Sequence, residues 1–173
     1  TRAVAQDCKG YYYLQNNKTV ETTVYNRKGE VTARQVLKVN DAKESGGTTT
    51  ATLHSEVFDK KGKSVATGTN AVKCKGGVMM MDIKMFLPQQ QADMMKNAEA
   101  SASDVFIEYP PGMKTGDALK DASFSMDMTS NGLKQSMSMS MTNRMVAGKE
   151  SVTTSAGTWE CFKITYKTDI SIK

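Results

Sequence analysis

Histidine is almost missing from this chain: His54 is the single one in 173 residues. A serine or cysteine nucleophile needs a base, usually histidine, so the common hydrolase triads have only one candidate to draw on. His54 sits in 51-ATLHSEVF-58, flanked by Ser55 and Glu56, and reads as an ordinary strand residue. Cysteine is scarce too. Cys8, Cys74 and Cys161 show no C-x-x-C spacing, so with one histidine a zinc site is not expected. No G-x-S-x-G, H-E-x-x-H or glycine-rich phosphate loop occurs. Paired carboxylates meet only in the fold, and no candidate pair stands out. The chain is therefore expected not to be an enzyme and to carry no cofactor. Nor is there a run of 18 apolar residues, so no helix is expected to span a membrane. Aromatics make up only 7%, with one tryptophan.

Methionine fills the gap. Thirteen of them stand beside five phenylalanines, which predicts a core built on a flexible, polarisable side chain. The length suits one domain over residues 1–173, able to bury roughly 70% of its unfolded surface. Net charge is +5, but the basic residues are scattered through turns such as 26-NRKG-29 and 59-DKKGK-63. No basic patch with interleaved aromatics forms, so nucleic acid is not an expected partner. The opening 3-AVAQ-6 matches a signal-peptidase site, which points to export and an oxidising compartment. Residues 1–7 are read as a flexible start.

Strand signals dominate the rest. Segments 18-KTVETTVYN-26 and 30-EVTARQVLKV-39 flank one hairpin turn. The design recurs in 51-ATLHSEVFDKKGKSVATGTNAVKC-74, where 57-VFDKKGKSVA-66 echoes 24-VYNRKGEVTA-33. A strand continues through 77-GVMMMDIKMFL-87. Pro88 then opens 88-PQQQADMMKNAEA-100, read as the one short helix, around 88–99, with Met94 and Met95 on its apolar side. A strand at 103-SDVFIEY-109 and a loop at 112-GMKTGDALKD-121 follow.

The pair Asn131-Gly132 is the preferred centre of a two-residue hairpin turn. It pairs Ser130 with Leu133, Met128 with Gln135, Met126 with Met137 and Phe124 with Met139. Alternation then puts Phe124, Met126, Met128, Met137, Met139 and Met141 on one face and serines on the other. The last strand, 162-FKITYKTDISIK-173, alternates likewise, with Phe162, Ile164, Tyr166, Thr168, Ile170 and Ile172 in phase. The sum is a mainly β protein of about nine antiparallel strands with one short helix. A single sheet of that size must curl into a half-barrel or barrel.

Thioethers favour Cu(I), but residues i and i+2 on a strand lie about 6.7 Å apart and i and i+4 about 13 Å. Three sulfurs on one strand converge poorly on an ion, so the Cu(I) reading stays minor and no metal is assigned. The methionine face is instead read as a re-packable apolar surface for a small apolar molecule or lipid, with Met94 and Met95 on the helix above it. The other reading is a structural or partner-binding protein of the cell envelope. Cys8 is expected to pair with Cys74, since both border glycine-containing turns near strand ends, leaving Cys161 free.

The stretches 8-CKGYYYL-14, 24-VYNRKGEV-31, 57-VFDKKGK-63, 74-CKGGVMMMDIKMFLP-88, 119-LKDASFSMDM-128 and 141-MTNRMVAGKESVTTSAGTWECFKITYK-167 together resemble a TapB-like group of exported Bacteroidota proteins of unknown function. The resemblance covers nearly the whole chain. It implies an exported, periplasmic or envelope β-rich protein similar to the open barrels of lipoprotein carriers, and it supplies no catalytic residues. Members continue with a last hairpin where this chain stops at Lys173, which implies an unpaired edge strand.

Overall fold

The structure is a computed structural model that describes residues 8–86, 99–102, 105–130 and 133–173. Among the described residues ten strands run antiparallel: β1 (Thr19–Tyr25), β2 (Val31–Ser45), β3 (Thr48–Asp59), β4 (Ser64–Lys75), β5 (Val78–Asp82), β6 (Glu99–Ala102), β7 (Phe106–Tyr109), β8 (Ala122–Ser130), β9 (Leu133–Thr154) and β10 (Gly157–Ile172). They divide into two sheets. The larger, in the order β1-β2-β3-β4-β5-β7, curls into a half-barrel, and the smaller runs β10-β9-β8-β6.

The two echoed turns fold by one mechanism. Asn26 accepts the backbone N–H groups of Lys28 and Glu30 on its Oδ1, and Asp59 does the same for Lys61 and Lys63. Gly29 and Gly62 supply the positive φ, at 78° and 77°, that ends each turn. The Lys63 amide, with Lys61 beside it, holds the Asp59 carboxyl below the usual range. The likeness of the two stretches is thus shared turn chemistry.

The half-barrel's inner face is covered from two directions. Near one end lies the segment after Cys8, coiled into short 3-10 turns at Cys8–Gly10 and Tyr12–Leu14. Its Leu14 is buried among Val39, Ala51, Leu53, Val72, Cys74 and Met79. Asn16 and Ala42 exchange hydrogen bonds of 3.1 and 2.7 Å, and Tyr11 Oη donates to the Gly77 carbonyl at 3.1 Å. Cys8 is bonded to Cys74 of β4, with Cα atoms 5.7 Å apart, and Cys161 is a free thiol. The bridge closes a loop across a separation of 66 residues. Replacing both cysteines with serine is expected to lower stability by about 4 kcal/mol on chain entropy. Urea unfolding with and without reductant checks this, and an unchanged midpoint would refute it.

Burial also sets a pH response. It raises the pKa values of Tyr11, Tyr13 and Tyr109. A phenol whose folded value is raised favours folding fully below its unfolded pKa of about 10, and that contribution is lost as pH climbs above it. The melting temperature should therefore hold up to about pH 9.5 and fall beyond it. A flat profile to pH 11 would count against these burials.

The expected helix around 88–99 lies outside the described residues, except that Glu99 opens strand β6. The sequence 99-EASA-102 has little strand character of its own; it extends because Ala100 and Ala102 pair with Met128 and Met126 of β8. Of the strand expected at 103–109, Phe106–Tyr109 form β7 while residues 103 and 104 lie outside the described residues, and the loop at 112–121 is seen, with one bridge from Ala118 to Met145.

Candidate functional site

The β8–β9 register is the one expected. Ser130 faces Leu133, Met128 faces Gln135, Met126 faces Met137 and Phe124 faces Met139; Asn131 and Gly132 themselves lie outside the described residues. Met126, Met137, Met139 and Met141 are buried with Phe124, at 1–4% exposure, against Ile107 of the half-barrel and Ile83 of the 3-10 turn Ile83–Phe86, which ends at Asp82 the strand expected through residue 87. The methionine face is thus the seam between the two sheets. The structure brings together five of the sequence-predicted site residues. Met128 joins them by backbone register only, and Met94 and Met95 lie outside the described residues.

This seam is only the covered part of a longer face. In β10, Thr168, Ile170 and Ile172 stand opposite Met141, Met139 and Met137, so they share the methionines' side of the sheet. Alternation carries that side on through Tyr166, Ile164 and Phe162. Ile164 and Ile170 are half-buried, but Phe162, Tyr166 and Ile172 are 38–48% exposed. An apolar face therefore passes from core to open surface without leaving the sheet. The opposite side of the β9–β10 ribbon carries Trp159 facing Val152, both exposed.

At the step between the covered and open parts sits Arg144. In β9 the inward positions are odd up to Met141, then even at Arg144 and Val146. The register slips here: Thr165 pairs with Met145 but Lys167 with Thr142, so Tyr166 alone spans Asn143 and Arg144. Asn143, with φ 53°, makes this bulge. Without it Arg144 would point to water.

Inside, the Arg144 guanidinium is 2% exposed. Its Nη1 donates to the Lys120 carbonyl and its Nη2 to the Glu108 carbonyl at 3.2 Å. The cation lies 5.1 Å from the centre of the Tyr109 ring. Nε is buried without a hydrogen-bond partner, and among the described residues no carboxylate pairs with the charge. Glu108 turns its own carboxylate to Lys120, at 2.9 Å. Burial pushes the Tyr109 phenol up, while Arg144 pulls the other way and Tyr166 adds a smaller upward push, which marks the three as neighbours. The loop over them is pinned to β9: Gly116 N–H donates to the Val146 carbonyl and Leu119 N–H to the Arg144 carbonyl, each at 2.8 Å.

Sequence reasoning missed Arg144. Its only signal was a charge next to the end of a clean alternation, and a one-residue bulge decides its direction.

Elsewhere the chemistry is thin. His54 is exposed on the outer face, in an open depression of about 390 Å³ shared with Lys38, Glu56 and Thr69. A second depression of about 520 Å³ is lined by Lys43, Thr50 and Lys73. Asp82 is buried but spent locally: Oδ1 accepts the Lys84 N–H at 2.9 Å and Oδ2 pairs with the Lys84 ammonium at 3.1 Å. Among the described residues no three potential ligands gather as a metal site, and no helix is long and apolar enough to cross a membrane.

Two solved structures share this architecture. One is a Bacteroides fragilis protein described as exported, with a YmcC-like fold; it is 21% identical, covers 91% of this chain and 76% of its own, and superposes with a TM-score of 0.73. The other is a Parabacteroides distasonis protein described as a lipoprotein, also 21% identical, covering 96% and 79%, with a TM-score of 0.76. No curated protein matches the sequence. Residues 15–173 match the DUF3108-like family model, and the chain belongs to that family.

Proposed function

We propose that this is an exported, non-enzymatic protein of the cell envelope that holds an apolar ligand, such as an acyl chain, against its methionine-containing inner face. The observation that carries this reading is the continuity of that face, from the buried Met137–Met139–Met141 row to the open Phe162, Tyr166 and Ile172. Exposed apolar stripes contiguous with a core are where ligands and partners bind. Methionine lets the seam re-pack around an inserted chain. The Cys8–Cys74 bond fits an oxidising compartment, and the descriptions of the two fold relatives fit the exported Bacteroidota group resembled by the sequence.

Native mass spectrometry of the purified protein, followed by solvent extraction, tests this. An apolar adduct, or uptake of an added twelve-carbon alkyl chain, is expected. A protein that carries none and takes up none would overturn the reading.

A second reading has its own observation. β10 ends the smaller sheet, so one whole edge of it is unpaired among the described strands. An envelope partner that adds a strand there would serve a structural role instead. Protection of β10 amides from hydrogen exchange only when that partner is present would favour it.

A further inference from the structure

Building on the apolar-ligand reading, we infer that the ligand is an anionic amphiphile, whose carboxylate or phosphate head is recognised by Arg144 beside Tyr109 and Tyr166 while its alkyl tail lies along the same face, over Ile164 and Phe162 or over Ile170. A guanidinium taken out of water without a counter-charge is expensive. The two carbonyls and the Tyr109 ring satisfy part of Arg144, but Nε and the net charge are left over. An anion answers both. A neutral apolar ligand answers neither.

The placement suits an amphiphile. Arg144 stands on the same side of the sheet as Met141 and Val146, where the buried face meets the open one. Tyr166 spans the bulge that carries Arg144 and is 48% exposed. Tyr109 is half-buried, with its ring centre 5.1 Å from the guanidinium. A head entering past Tyr166 would meet a phenol first and the cation next. Its tail would run back over Ile164 to Phe162, or forward to Ile170, on surface that is apolar and partly wet.

Matched twelve-carbon probes separate head from tail. Dodecanoate, dodecyl phosphate and dodecanol are titrated below their micellar concentrations against the full chain. Dodecanoate or dodecyl phosphate should bind at least about tenfold more tightly than dodecanol, from charge-assisted hydrogen bonds; the ratio of the first two tells which head the site prefers. Tyr166→Phe, a surface change that leaves the fold alone, should cut the preference about threefold. Arg144→Met should erase it, if that variant folds. Equal binding of the alcohol and the anions overturns this inference and leaves the apolar-ligand reading standing. Failure of all three probes to bind overturns both. An anion preference untouched in Tyr166→Phe shows that the head sits elsewhere and also overturns it.

Discussion

Replacing Met137, Met139 and Met141 together with serine should unfold the smaller sheet, whereas replacing all three with leucine should leave a folded protein. Each of these side chains is 1% exposed, in the seam against Ile83 and Ile107. Burial of each is worth roughly 1.5–3 kcal/mol, so the serine variant forfeits about as much as a whole domain's net stability of roughly 5–15 kcal/mol. Three hydroxyls would also be left to find partners inside an apolar seam. Leucine keeps volume and polarity within a packing cost below about 1.5 kcal/mol per site. Circular dichroism and urea unfolding of both variants decide between these outcomes. The pair also tests copper. A protein that takes up one Cu(I) tightly, and loses it in the leucine variant, would show that the sulfurs and not the apolar bulk were the point of the row. Strand spacing already argues otherwise, since neighbouring thioethers on one side of a strand start about 6.7 Å apart.

That row shows what pattern alone can reveal. Serine–methionine alternation around Asn131-Gly132 determines a face and a register, because a slip by one residue would turn every methionine to water. The pairing of Met126 with Met137 and of Phe124 with Met139 follows directly. The hairpin turns at Asn26 and Asp59 were legible for a similar reason, a side-chain acceptor plus a glycine at fixed offset. Legibility ends where the cause is not local. β6 is a strand because β8 offers an edge, not because 99-EASA-102 prefers extension. β10 alternates perfectly, yet Phe162 and Tyr166 are exposed; alternation names a face but says nothing about what covers it. The division into two sheets, in place of a single curled one, follows from how β5 and β7 pair with each other while β6 goes to β8.

Arg144 was the least legible residue, and its replacement should have the second large effect. Arg144→Ala removes the donor to the Lys120 and Glu108 carbonyls and so cuts the side-chain tie from β9 to the loop and to β7, while the backbone bonds of Gly116 and Leu119 to β9 remain. Two part-buried carbonyls lose their donor, at a cost of about 1–3 kcal/mol together before any cavity is counted. Arg144→Met should be milder, by at least about 1 kcal/mol. It refills the space and removes a buried charge that no described carboxylate offsets. Urea unfolding of the two variants against the parent measures both steps, and an alanine variant within about 0.5 kcal/mol of the parent would show that the clamp carries no weight. The order of the two matters more than either value. A methionine variant as stable as the parent would show that a cation held in this apolar seam serves something other than stability. The use that we infer for it is the one its position suggests, beside the Tyr109 ring where the buried face meets the open one.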